Sequence, residues 1–300
     1  MEIKIVITKE NKEQILKLID QLIDAEAEGV KAQSPSRVVF GFPEASRNVE
    51  TEKWPHIDMV EIAEPEIREA RFGAWGMFNS FVPGKAALRV LITLVDRNDE
   101  KSVRLSSLID ACMTYFSRSK LYEYRGFPKK ISESSRARLA THLIRPYYEM
   151  GLMRKCDDGK DPSIMITKEG LDFARMQNPL LDRNDRTTYL SEEEGKWMIN
   201  HLKTLDEMGY KEFSLLRELT YFLSAKERNF EDIVKWFKEN RAFVDWLRNG
   251  SRYENDPKAF SRQLENVART FASGKIALLR ELGVVSNERA TYQVLKGLEA

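Results

Sequence analysis

The chain has 300 residues, 48 of them Lys or Arg and 47 Asp or Glu, for a net charge of +1. That length suits two or three cores, and the near balance of charge excludes a uniformly basic nucleic-acid coat. Any nucleic-acid surface must come from local segregation of charge. Two distant cysteines, Cys112 and Cys156, exclude a disulfide framework and a four-thiolate zinc site. No apolar run approaches the ~20 residues of a spanning helix, and the opening MEIKIVITKENKEQ turns polar too soon for a signal peptide. A cytoplasmic protein without membrane contact is expected.

From the N-terminus, Ile3, Ile5 and Ile7 alternate as in a half-buried strand. Thr8 then caps a helix whose apolar stripe is Ile15, Leu18, Ile19, Leu22 and Ile23. Two further β-like runs, 37–42 and 57–62, complete a small α+β domain over 1–78. The aromatic connector Phe72, Trp75, Phe78, Phe81 follows, punctuated by Gly73, Gly76 and Pro83. Packing between domains is its simplest role, because large aromatics are usually core. A protein partner or self-association through this connector or the N-terminal domain is the alternative.

Ala87, Leu88, Leu91, Ile92 and Val95 make the apolar face of a helix ending near Asn98, and Val103 is a minimal strand. A second helix runs from about Leu105 to Phe116. Ser132 caps a third helix. Turned at 100° per residue, this third helix gathers Leu139, Leu143, Tyr147 and Met150 on a core face. Ser134, Arg138, Thr141, Arg145 and Tyr148 fall opposite. Arginines bridge guanine acceptors and hydroxyls are versatile partners, so that face suits a major groove. Between Arg118 and Arg145 the sequence carries eight basic residues (Lys129, Lys130, Arg136 and Arg138 among them) against Glu123 and Glu133. This concentrates +6 in a chain of +1. A merely solvated face is the plainer reading of any charged helix, and this segregation is what argues against it.

Gly151-Leu152-Met153-Arg154-Lys155 reverses through Asp157-Asp158-Gly159-Lys160 into Ser163–Thr167, a hairpin with Asp-Gly at its turn. Thr167 caps a further helix. Three helices, the Glu149-Met150-Gly151-Leu152 junction, the hairpin and Ile166-Thr167-Lys168-Glu169-Gly170 together resemble the winged helix-turn-helix superfamily, over 79–178. The resemblance implies a recognition helix at 132–150 and a wing at 154–163, with Arg154, Lys155 and Lys160 available to phosphates. The segment between the second and third helices is longer than the usual turn, and Pro146 is expected to kink or end the third helix.

Gln177 to Leu190 reads as a polar linker. Helices carrying Trp197, Ile199, Leu202 and Leu205 (capping box Ser191/Glu194), then Phe213–Leu223, then Ile233–Phe237, open a helical region over 190–300. The last stretch echoes the central one: Leu282-Gly283-Val284-Val285 aligns with Met150-Gly151-Leu152-Met153. Phe260, Leu264, Val267, Phe271, Leu278 and Leu282 form a core stripe opposite Arg262, Asn266, Arg269, Ser273 and Arg280. This echo marks either a second winged helix with a second DNA-binding face or a chance likeness, and Gly274 is a potential break in its helix.

The expected fold is mainly α with small β elements: winged helix-turn-helix domain or domains beside a small N-terminal α+β domain. No catalytic motif is present. Pro83-Gly84-Lys85 lacks the hydroxyl and first glycine of a phosphate loop, His56, His142 and His201 are scattered, and no ligand spacing suggests a metal or cofactor. The functional expectation is double-stranded DNA binding, in transcription regulation, DNA replication or mobile-element maintenance. A winged-helix protein-interaction scaffold within a multi-subunit complex is the alternative, since fold alone does not fix function.

Overall fold

The computed structural model describes residues 72–73, 78–98, 101–119, 121–123, 132–183, 189–251, 253, 256–288 and 291–298. The strands and helix expected before residue 72 lie outside them, as do Trp75, His56, Lys129 and Lys130. The described part is mainly helical with two small antiparallel sheets.

The first half starts with α1 (Val82–Asn98), whose Ala87, Leu88, Leu91, Ile92 and Val95 are buried. Then come β1 (Val103–Arg104) and α2 (Leu105–Arg118), which buries Leu108, Ile109, Cys112, Met113 and Phe116. The next helix is in three pieces: α3 (Glu133–Leu139), a π turn (Ala140–Ile144) and α4 (Arg145–Glu149). Ser132 caps it, its hydroxyl accepting from the Ser135 N–H. β2 (Met153–Lys155) and β3 (Ser163–Ile166) form the hairpin, and β1 pairs with β3, giving the order β1-β3-β2.

The π turn is the structure's answer to Pro146. In an unbroken α-helix the proline ring would meet the carbonyl of His142 and leave it without a donor. Here the Arg145 N–H instead reaches back five residues to the Ala140 carbonyl, widening the turn immediately before the proline. The helix therefore continues rather than ending. The extra residue also turns the later positions: Ile144 and Pro146 join Leu139, Tyr147 and Met150 in the core. Tyr148, expected on the exposed face, is half-buried against that core. Its hydroxyl is buried with no hydrogen-bond partner among the described residues.

The second half follows this order with one helix more. α8 (Glu212–Ser224) is followed by β4 (Arg228–Asn229) and α9 (Phe230–Glu239). Next come α10 (Arg241–Asn249), α11 (Pro257–Glu281) and the hairpin of β5 (Val285–Glu288) and β6 (Thr291–Val294). Its sheet order, β4-β6-β5, again pairs the two-residue strand before the second helix with the last strand. Gly151 and Gly283 occupy the same junction, between long helix and hairpin, with φ of 67° and 68°. That left-handed conformation favours glycine because it has no Cβ. Gly274 does not break α11, in which it is buried. Helix α10 is capped by Asn240, whose side chain accepts from the Phe243 N–H at 3.0 Å, and it buries Phe243 and Leu247 one turn apart.

Between the halves lie α5 (Lys168–Arg175), α6 (Pro179–Arg183) and α7 (Glu192–Glu207). The stretch expected as a polar linker is docked in its described parts. Asn178 is 1% exposed and donates to the Tyr189 carbonyl at 2.8 Å and to both Glu194 oxygens at 3.0 Å. Asp182 of α6 forms a two-pronged pair with Arg89 of α1. Lys85 of α1, wholly buried, donates to Glu194 of α7 and to the carbonyls of Phe173 and Met176 at 2.7 Å. In the second half Lys275 of α11 and Glu212 of α8 form a second buried pair at 2.7 Å.

The aromatic connector is core in its described parts. Phe72 packs edge-on against Phe243, centroids 5.3 Å apart, and against Trp246 at 5.2 Å. Phe78 and Phe81 are buried beside Tyr147. These three rings are therefore not a free partner surface.

Candidate nucleic-acid interface

The segment Ser132–Lys160 shows how local chemistry sets out a polar surface. Its core face anchors the helix, and the opposite side emerges by geometry: Ser134, Arg136, Thr141 and Arg145 are exposed. Arg138 lies on the backbone of α3, its side chain outside the described residues, so Arg138, Lys129 and Lys130 keep only their sequence-level assignment. The exposed arginines are not free of acids. Arg136 meets Asp110 of α2 at 2.5 Å, and Arg145 meets Glu149 one turn on at 2.8 Å. Both pairs are solvent-facing, and such pairs contribute about 0–1 kcal/mol, so a phosphate can displace the acid at little cost.

The hairpin is built by its own aspartates. Asp157 accepts from the N–H groups of Gly159 and Ser163, both at 3.0 Å, which closes the turn and holds its carboxyl below the usual range. Asp161 accepts from the Ser106 N–H at 2.8 Å and hydroxyl at 2.7 Å, tying the turn to the start of α2. Thr167 caps α5 as expected and also donates to the Gly151 carbonyl at 2.7 Å, fixing the hairpin's base to the helix junction. Lys155 and Lys160 are exposed and Arg154 is half-exposed, but Lys155 shares Asp158 at 3.1 Å. With Asp157, Asp158 and Asp161 interleaved, the wing is close to neutral. The positive charge of this half is concentrated on the helix and the segment before it.

On α11, Arg262, Asn266, Arg269, Ser273 and Arg280 are all exposed, as their wheel positions require. Arg269 is held by two acids at once. It forms a forked pair with Glu231 of α9 at 2.7 and 2.9 Å, and a third bond to Glu265 at 2.8 Å. Lys238 joins the same network through Glu265. The pairing partners on both faces escaped attention at the sequence level. Arg145/Glu149 and Glu265/Arg269 were legible as i,i+4 pairs; Asp110 and Glu231 were not, because only packing brings them close.

Comparison with known proteins gives no family. No protein-family model, no curated protein and no solved structure matches the chain significantly.

The groups that looked most like chemistry have structural roles. Pro83-Gly84-Lys85 is a helix start: a Cβ on Gly84 would stand 1.9 Å from the Tyr147 ring, and Lys85 is sealed by Glu194. Burial lowers the Lys85 pKa to about 8, against the pull of Glu194. His201 stacks on Trp197 at 4.9 Å and its Nε2 donates to the Met150 carbonyl at 2.7 Å; burial lowers its pKa. Cys112 is buried, with its pKa pushed up by desolvation, and Cys156 is exposed. Among the described residues no group of His, Cys, Asp and Glu has a metal-binding arrangement, and no helix is long and apolar enough to cross a membrane.

Proposed function

We propose that the chain is a double-stranded DNA-binding protein built from two winged helix-turn-helix units, 79–178 and the region from Glu212 to Leu298. The observation that carries this reading is the shared order of helix, two-residue strand, helix, long helix and hairpin, to which the second half adds α10 before its long helix, with the same strand order in both sheets. In each unit the long helix is assigned as the recognition helix, and its outer side carries arginine with hydroxyl or amide side chains. Those are the residue types that read base edges and phosphates. Ser134, Arg136, Arg138, Thr141 and Arg145 are assigned to the first groove. Lys129, Lys130, Arg154, Lys155 and Lys160 are assigned to the flanking backbone. Arg262, Asn266, Ser273 and Arg280 are assigned to the second face, with Arg269 released only if DNA displaces Glu231 and Glu265. The supply of phosphate-seeking charge comes from the +6 segment 118–145 rather than from the whole chain.

The biological setting, transcriptional control or replication and maintenance of a mobile element, follows from the site that is bound. Selection from a randomised duplex pool tests the reading and delivers that site together. Enrichment of a defined motif that Arg138→Ala weakens is the expected result. A pool that stays random while the chain co-purifies with a protein would instead favour the interaction-scaffold reading.

A further inference from the structure

The C-terminal turns of the two long helices meet on one residue. The Tyr147 hydroxyl of α4 donates to the Phe81 carbonyl at 2.5 Å, and the Phe81 N–H donates to Glu281 of α11 at 2.5 Å. The Ser80 hydroxyl donates to the other Glu281 oxygen. Helix α7 braces the same two ends: His201 holds the Met150 carbonyl, and Gly195 lies against Leu282, where its Cβ would be 3.7 Å from the Leu282 carbonyl. All of these residues belong to one compact unit, 54–300, and the buried Lys85–Glu194 and Lys275–Glu212 pairs lie within it. Bringing charges into such a core is unfavourable unless they stay paired, so parting α1 from α7, the helix that braces both ends, is opposed.

We propose that one chain reads two major-groove segments on the same face of one duplex, one helical turn apart; this rests on the DNA-binding reading above. The geometry limits the spacing. From Tyr147 back to Arg138 is nine residues, and from Glu281 back to Arg262 nineteen, which at 1.5 Å per residue are about 14 and 28 Å of helix. The bridge through Phe81, two side chains and two hydrogen bonds, adds at most about 20 Å. The backbones of the two reading positions therefore stand no more than roughly 62 Å apart, and less because the path bends. Successive major grooves on one face lie ~34–36 Å apart, which this reach permits, whereas a two-turn separation of ~70 Å exceeds it. Because the helices converge at their C-termini, their N-terminal halves, which hold Ser134, Arg138, Arg262 and Asn266, are the ends free to diverge toward separate grooves.

The test starts from the full chain and a randomised duplex of about four turns. The expected result is two enriched blocks centred about 10–10.5 bp apart, bound by a single chain. Inserting a half turn, about 5 bp, between the blocks is then expected to weaken binding at least about tenfold, and a full turn likewise. In Glu281→Gln combined with Tyr147→Phe, checked for retained folding by circular dichroism, the half-turn penalty is expected to shrink. One enriched block, affinity indifferent to the insertions, or two chains on a two-block duplex would overturn the inference while leaving DNA binding intact. No enrichment and no salt-sensitive binding would overturn both. If the double variant does not fold, the insertion series on the natural chain decides the matter.

Discussion

The buried pair Lys85–Glu194 is where the fold is most sensitive to a single atom change. Both side chains are 0% exposed. The ammonium has three acceptors, Glu194 and the carbonyls of Phe173 and Met176. Glu194 in turn accepts from Asn178 and from the Ser191 N–H, so it also caps α7. Lys85→Met strands a buried carboxylate and is expected to cost about 3–5 kcal/mol. In a chain of this size that lowers the melting temperature by about 6–20 °C. Glu194→Gln, which keeps the cap, strands the ammonium and is expected to cost about 3 kcal/mol. The double variant leaves two carbonyls unpaired, at about 1–3 kcal/mol, well below the roughly 6–8 of the two single changes together, so the cycle should show at least about 3 kcal/mol of coupling. Urea unfolding followed by circular dichroism measures all four corners. Additivity within ~0.5 kcal/mol would refute the pair. The pH dependence has a definite sign. Lys85 titrates at about 8 when folded against 10.5 as a free side chain. Between these values the folded chain has released a proton that the unfolded chain still holds, so stability relative to the double variant rises with pH across that window. A gap that stays flat or falls would contradict the burial.

Gly151→Ala and Gly283→Ala test the equivalence of the two halves. A Cβ at Gly151 meets nothing within 4 Å, and at Gly283 only the end of Lys296 at 3.8 Å. Backbone strain of about 1–2 kcal/mol is therefore expected at both, and markedly unequal losses in thermal melts would argue against a shared junction. Asp110→Asn and Glu149→Gln unburden Arg136 and Arg145, and each is expected to raise duplex affinity at low salt about two- to fivefold; unchanged affinity removes these arginines from the interface. His201 has its pKa depressed below 6.5 by burial, so the unfolded chain takes up a proton first on acidification. Stability is thus lost as pH falls through about 6.5 and below, and the loss is expected to be smaller in His201→Gln when melts are compared over that range.

Much of this architecture was written in local signals. Ser132, Thr167 and Ser191 are caps because their hydroxyls reach N–H groups three residues on, and the Gly151 and Gly283 junctions are legible because few other residues tolerate positive φ. The misreadings share a cause: each depends on contacts distant in sequence. The stretch around Asn178 is polar in composition, yet Glu194 and Arg89 supply partners that hold it in place. Pro146 announced a disruption, but whether the helix ends or widens is decided by the core that takes in Ile144 and Tyr147. The acids that meet Arg136 and Arg269 come from neighbouring helices, so the wheel showed exposed arginines without showing their competition.

The central claim, a DNA surface centred on the helix 133–149 with backbone contacts from the segment before it and the wing, is tested most directly by salt. Duplex affinity measured from about 50 to 200 mM salt should fall linearly on logarithmic axes, with a slope near −0.9 for each phosphate engaged. Replacing Arg136, Arg145 and Lys160 by alanine together should flatten that slope by about one to three such steps. An identical slope in the triple variant, or no binding at the lowest salt, would contradict the account.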